Sequence, residues 1–178
     1  MNWKENLAML EQRDDWKGAV NLMHVVLIKY PNDVDAYIRH IYLLNDIMLE
    51  HDPELYGMTI DSVAKDLKEW FDYSYAIFKD NAEYLFFVGY IISIAEWYFP
   101  EFTKAKSLEM IKKAMEIDVN NILYRWGYEL LESPNNSFVY WADIILHHDH
   151  HIVEWLKTKG FPGQYILDAV RWSYNNYK

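Results

Sequence analysis

The densest group of metal-binding side chains in the sequence occupies residues 147–151 and consists of four histidines around Asp149. Histidines four positions apart, such as His147 and His151, lie on one face of a helix and can hold one metal ion there. A catalytic zinc ion would need a further ligand, which Asp143 or Asp149 can supply. In the alternative interpretation, Asp149 starts a new helix at a polar junction and the histidines are solvated. Because no HExxH-type signature accompanies the cluster, we predict no metal site and no cofactor, with His147 and His151 as a side hypothesis.

Other catalytic signatures are missing from the sequence. It has no cysteine, no glycine-rich phosphate loop and no GxSxG nucleophile motif. Carboxylates such as Asp66, Glu69 and Asp72 alternate with Lys65 and Lys68, a pattern typical of a solvated helix face with weak local ion pairs. We therefore predict that the protein is not an enzyme. A metal-dependent hydrolase that uses the histidine cluster is the third and least favoured class of function.

Four acidic residues crowd one predicted helix end and the turn after it: Asp46, Glu50, Asp52 and Glu54. The helix dipole places partial negative charge at that end, so acidic side chains there are unfavourable. Asp46 and Glu50, four positions apart, also repel one another. Because proteins break such local preferences mainly at working sites, the cluster is a candidate interface, with a solvated acidic corner as the alternative.

Helices must position these residues, because apolar side chains recur at helical spacing along nearly the whole chain. From Thr59, a stripe through Val63, Leu67, Phe71 and Phe78 predicts an amphipathic helix of about five turns. One further helix is expected before Pro31, which ends it, and another from Asp33 to about His51. A helix over 82–98 is ended by Pro100. The remaining expected helices are 102–117, 122–132, 138–147, 150–159 and 164–176. No strand pattern or linker interrupts the sequence, which predicts one all-α domain over residues 1–178 with about ten helices.

Two segments share a pattern of small and apolar residues. In residues 15–44 a small residue, Ala19, is followed by the apolar Met23 and Val26, then by the terminating Pro31 and by Tyr37. This pattern resembles that of tetratricopeptide repeats, which are pairs of packed helices. Residues 106–121 resemble a second copy through Ser107, Ile111 and Ala114, with Val88 and Gly89 upstream in place of the family's Leu-Gly pair. In the first copy His40 and Ile41 stand where Leu-Gly is expected.

The resemblance implies stacked antiparallel helix hairpins, a tetratricopeptide-like α-α superhelix in which the first helix of each pair faces a concave groove. By that resemblance, Asp35, Tyr42 and Asp46 would point into the groove, with Ile38 and Asn45. The groove would then be both acidic and aromatic, which suits a basic polypeptide. The predicted partner-binding residues are Asp35, Tyr42, Asp46, Glu50, Asp52 and Glu54.

Charge and hydropathy limit the partners. With 17 basic and 27 acidic residues the chain has a net charge of −10, which repels nucleic-acid phosphates and attracts a basic protein. The longest uncharged apolar run, residues 84–95, is shorter than the ~20 residues of a membrane span. The N-terminus has Lys4 and Glu5 and no apolar signal-peptide core. We expect a cytoplasmic protein that binds neither nucleic acid nor membrane.

In overall type the chain looks like the immunity proteins of bacterial contact-dependent growth inhibition and other polymorphic toxin systems. The resemblance depends on size, acidity, lack of cysteine and lack of a catalytic motif. It implies tight binding to one cognate toxin domain, for which a basic nuclease is the favoured identity because its active site must hold phosphates. The alternative is a tetratricopeptide-like adaptor that binds a peptide or protein without inhibiting it.

Overall fold

The computed structural model describes residues 2–93, 103–132 and 135–178, and within these ranges the chain is α-helical with no strand. One short 3-10 turn, Pro53–Tyr56, separates the third and fourth helices. The helices are α1 Trp3–Glu11, α2 Trp16–Lys29, α3 Val34–Glu50, α4 Ile60–Phe78, α5 Ala82–Ile92, α6 Lys104–Ile117, α7 Ile122–Glu132, α8 Phe138–His147, α9 His150–Thr158 and α10 Phe161–Tyr177. The prediction of an all-α fold with about ten helices is confirmed.

Side chains at the helix starts explain several of these boundaries. The Asp33 carboxylate accepts a hydrogen bond from the Ala36 amide at the start of α3, and Asn81 does the same for Tyr84 at the start of α5. Thr59 and Ser62 each accept a hydrogen bond from the other's backbone amide, which forms a capping box at the start of α4. Such caps satisfy amide groups that have no partner inside the helix.

The α4 helix has the amphipathic form that its sequence predicts. Val63, Leu67, Phe71, Ser74 and Phe78 are buried, and they recur every three or four residues along one face. The predicted cap at Thr59 and the predicted length of about five turns are both confirmed.

The described residues group into two compact units, Met1–Lys79 and Asp80–Lys178. In the first unit α2 packs against α1 and α3, and α3 packs against α4. In the second unit α5 is the most completely buried helix, since every residue from Tyr84 to Ile92 is buried, and it packs against α6 and α7. The single-domain interpretation of residues 1–178 stays a prediction.

In the second unit α5 and α6 approach closely at Gly89. A Cβ atom at this position would lie 3.1 Å from the side chains of Met110 and Ile111 and 3.2 Å from the carbonyl oxygen of Ser107. The Ser107 hydroxyl donates a hydrogen bond to the Gly89 carbonyl. A side chain at position 89 would therefore require α6 to shift by a few tenths of an ångström. These are residues on which the tetratricopeptide resemblance depends, although membership of that family stays a prediction.

One predicted boundary differs from the structure by several residues. The helix expected from residue 164 begins at Phe161, because Gly160 adopts a positive φ of 68° and Pro162 falls in the first turn, where no amide hydrogen is needed. The predicted helix end at His147 and helix start at His150 are confirmed, since the chain leaves the helix at His148 and Asp149. Several predicted features lie outside the described residues. They are the end of the 82–98 helix, Pro100, the start of the 102–117 helix, and the turn residues Ser133 and Pro134.

Among the helices described, none combines the length and the apolar character needed to cross a membrane.

Candidate functional site

Asp35 lies in a buried ion-pair network between α1 and α3. Its Oδ2 atom is 2.5 Å from Lys4 Nζ and 3.2 Å from Arg39 Nε, and only 7% of the residue is exposed. The two cations balance its charge. The structure thus places Asp35 where it joins two helices, apart from the exposed acidic residues that the sequence grouped with it.

The other predicted partner-binding residues follow one another along α3 and into the 3-10 turn. We call them the acidic corner, and they are Tyr42, Asp46, Glu50, Asp52 and Glu54. Asp46 is its inner member: the Tyr42 hydroxyl donates a hydrogen bond to Asp46 Oδ1 at 3.3 Å, and His51 Nε2 lies 3.4 Å from Asp46 Oδ2. Burial raises the pKa of Asp46 above its ordinary value despite these two partners.

The outer members of the acidic corner, Glu50, Asp52 and Glu54, are exposed. Asp52 accepts a hydrogen bond from the Glu54 amide and so caps the 3-10 turn. Across the described part of the chain, no lysine, arginine or histidine forms an ion pair with any of the three. Many other exposed carboxylates do have such a partner, as these pairs show: Glu69 with Lys65, Asp72 with Lys68, Asp80 with Lys113, Glu109 with Lys106, Glu154 with Lys157, and Asp168 with Arg171.

Glu11 is a buried carboxyl group at the C-terminal end of α1, with 7% of the residue exposed. Burial raises its pKa to about 7, and the nearby charge of Asp46 acts in the same direction, while Arg39 opposes it. Near neutral pH this carboxyl group is therefore protonated in a large fraction of molecules. The sequence analysis did not single out Glu11, because nothing in its local pattern distinguishes it from a surface acid.

The structure also brings together three metal-binding side chains from three helices: His24 of α2, His40 of α3 and Asp66 of α4. One ligand atom from each lies within 4.8 Å of the others. His24 Nε2 and Asp66 Oδ2 are 2.7 Å apart. Burial alone would raise the pKa of Asp66, but the hydrogen bond and charge of His24, with smaller contributions from His40 and Trp70, hold it below its ordinary value. Asp66 is thus ionised at neutral pH and accepts the hydrogen bond from His24. We call these residues the three-helix cluster.

His40 is the fully buried member of the three-helix cluster. It has no exposed surface, and neither Nδ1 nor Nε2 has a hydrogen-bond partner among the described residues. Burial, reinforced by the nearby His24, lowers its pKa to about 3, so the imidazole is neutral. A buried imidazole without partners is unfavourable, since both nitrogens lose their hydrogen bonds to water.

A cleft of about 570 Å³ opens beside the three-helix cluster. Its walls include His24 and Asp66 together with the aromatic rings of Tyr37, Trp70 and Tyr73. Trp70 contacts both imidazoles, with ring centroids 5.9 Å from His24 and 5.6 Å from His40. The cleft gives solvent and small ligands a path to the two partly exposed members of the cluster.

The predicted histidine pair His147 and His151 does not share a helix face. His147 is the last residue of α8, with its Nδ1 atom 3.0 Å from Asp143 Oδ1, whereas His151 lies in the first turn of α9 beside Asp118 and Asn121. The interpretation of this segment as a helix junction at Asp149 is therefore confirmed. The metal-binding arrangement on one helix face was wrong, because the chain breaks between the two histidines.

Sequence reasoning missed the three-helix cluster and misassigned one of its members. The sequence pattern indicates a solvated face for Asp66 with Lys65 and Glu69, yet its side chain is only 25% exposed and contacts His24. One signal was present: His40 falls in an otherwise apolar stripe of α3, at the place where the tetratricopeptide pattern has its Leu-Gly pair.

Comparison with known protein families, curated proteins and solved structures gives no match for this chain.

Proposed function

We propose that the protein binds a basic protein partner through the acidic corner and neutralises it, in the manner of an immunity protein toward a toxin domain. The observation that carries this proposal is the set of three exposed carboxylates, Glu50, Asp52 and Glu54, which have no cationic partner among the described residues. Their charge is available to a guest, whereas that of Asp35 is balanced by Lys4 and Arg39.

Two further features support a protein partner. Leu55 directly follows Glu54 and is 78% exposed, so an apolar side chain lies among the charges. Protein interfaces combine apolar contacts with polar ones, and Leu55 offers an apolar contact beside the charges. The net charge of −10 adds a long-range attraction for any basic surface and repels a phosphate backbone.

Affinity capture from the native host with the purified chain as bait tests this proposal. Wild-type protein, the variant E50K/E54K and the control E109K/E154K are compared, because the control reverses two exposed glutamates that already pair with Lys106 and Lys157. We expect a stoichiometric basic protein on the wild-type and control baits, and at least about tenfold less of it on E50K/E54K. Circular dichroism verifies that all three baits are equally helical.

Neutralisation is tested by producing the captured protein in cells with and without this chain. Growth arrest that wild-type protein relieves and E50K/E54K does not relieve supports an immunity protein. A captured protein that is harmless alone identifies an adaptor and contradicts neutralisation. Equal capture by E50K/E54K and wild type contradicts the acidic corner as the interface.

A further inference from the structure

The three-helix cluster combines side chains that zinc and similar divalent transition metals prefer. Two imidazole nitrogens and one carboxylate oxygen form a recurrent set of three protein ligands for such ions. They come from His24, His40 and Asp66, whose ligand atoms lie within 4.8 Å of one another. In a tetrahedral site with metal–ligand distances of about 2.0–2.2 Å, ligand atoms are separated by roughly 3.3 Å. Side-chain rotations that move the ligand atoms by about 1 Å would bring the three residues to that geometry.

We propose that His24, His40 and Asp66 bind one divalent transition-metal ion of the zinc class. The burial of His40 is an independent observation that points to a ligand, because both of its nitrogens are buried without a hydrogen-bond partner among the described residues. A metal ion would use a lone pair that the surrounding side chains leave unused.

The contact between His24 and Asp66 fits the same assignment. Their 2.7 Å hydrogen bond holds a nitrogen and a carboxylate oxygen side by side in the wall of the cleft. Insertion of a cation between the two atoms would replace that hydrogen bond with two coordination bonds, and the imidazole proton would move from Nε2 to Nδ1 of His24. Trp70, which contacts both imidazole rings, fixes their orientation in the way that outer residues orient metal ligands.

The cleft determines how the ion enters and what else it can bind. His24 and Asp66 are 35% and 25% exposed, so the ion reaches them from the cleft, while His40 binds from the interior. Three protein ligands leave a fourth position open to water or to a donor atom of a small molecule in the cleft. This site is separate from the acidic corner, and the inference does not depend on the proposed function.

Calorimetric titration of the chelator-treated, full-length protein with ZnCl2 tests the assignment. Wild type is compared with H24Q and D66N, which change the two partly exposed ligands, and with H147Q/H151Q, which removes the exposed histidines of α8 and α9. We expect one ion per chain for wild type and for H147Q/H151Q, and a loss of affinity of at least about tenfold for each of H24Q and D66N. Titration with Co²⁺ should give visible absorption bands in wild type that H24Q and D66N lack.

The outcomes that would overturn the assignment are specific. If H24Q and D66N still bind zinc and H147Q/H151Q does not, the ligands are the exposed histidines of α8 and α9. The absence of binding heat, or weak binding of several ions per chain, would leave the three-helix cluster without a metal. Circular dichroism of every variant verifies that a lost signal reflects lost ligands and an intact fold.

Discussion

His24 and Asp66, 42 residues apart in sequence, are joined by a hydrogen bond of 2.7 Å between Nε2 and Oδ2 that links α2 to α4. Both side chains are partly exposed, so solvent weakens the interaction. We expect Asp66→Asn to lower the free energy of unfolding in metal-free buffer by no more than about 1 kcal/mol, measured by urea denaturation. Asp72→Asn on the same helix serves as control and should change it by less than about 0.5 kcal/mol. A loss of several kcal/mol would show that Asp66 is a structural residue of the core.

His40 should lower the free energy of unfolding of the metal-free protein, because its imidazole is buried without hydrogen-bond partners among the described residues. His40→Leu replaces it with an apolar side chain of similar size. In the absence of metal we expect the free energy of unfolding to rise by about 1–2 kcal/mol. Thermal and urea unfolding measure this change, and any stabilisation by zinc should disappear in the variant.

A suitable control for His40→Leu is His51→Leu. His51 is partly exposed, lies 3.4 Å from Asp46 and packs on Trp16, so its replacement removes real interactions and should not stabilise the protein. If His40→Leu is as destabilising as a cavity or a broken network in the core, the imidazole has a packing role and the expectation for His40 fails.

Glu11 should make stability fall as the pH rises toward neutrality. Its pKa is about 7 in the folded protein and 4.5 in the unfolded chain, so the folded state holds the proton more tightly. The resulting stabilisation is complete below pH 4.5 and is lost as the pH rises through 7, with a total of about 3 kcal/mol. Glu11→Gln should flatten the curve in this window, as measured by urea denaturation at a series of pH values. Glu5→Gln, an exposed change in the same helix, should leave the dependence of the free energy of unfolding on pH unchanged. If Glu11→Gln also leaves it unchanged, the raised pKa of Glu11 is refuted.

Gly163 in the first turn of α10 is required by the close approach of α9. A Cβ atom there would lie 1.9 Å from the Leu156 carbonyl oxygen and 2.7 Å from Lys159 Cβ. Because the first of these atoms belongs to the backbone, no rotamer change can relieve the clash. We expect Gly163→Ala to destabilise the protein by at least about 2 kcal/mol, with the exposed neighbour change Gln164→Ala within about 0.5 kcal/mol of wild type. Equal melting temperatures for the two variants would contradict this packing.

Helices were predictable from the sequence wherever local signals agreed. For α4, the cap at Thr59 and the apolar stripe through Phe71 indicate the same helix. For α3, the cap at Asp33 marks the start, and Pro53 follows shortly after the end. At the start of α10 the local signals conflicted. Gly160 and Pro162 are both helix breakers in general, yet a positive φ at the first and a first-turn place for the second allow the helix to begin between them.

The acidic corner was also predictable, because its members are close in sequence and the helix dipole makes their placement unfavourable. The ion pair between Asp35 and Lys4 was not predictable, since the two residues come from different helices. The three-helix cluster was beyond reach for the same reason: His24, His40 and Asp66 are separated by long stretches of chain, and only packing of α2, α3 and α4 brings them together.

The location of Leu55 beside unpaired carboxylates has a kinetic consequence for any basic partner. Charges act at a distance and mainly set how fast two proteins meet, while a desolvated apolar contact mainly sets how long they stay together. Added salt or the loss of Glu54 should therefore slow complex formation. Trimming Leu55 to alanine should leave that rate nearly unchanged and shorten the lifetime of the complex instead.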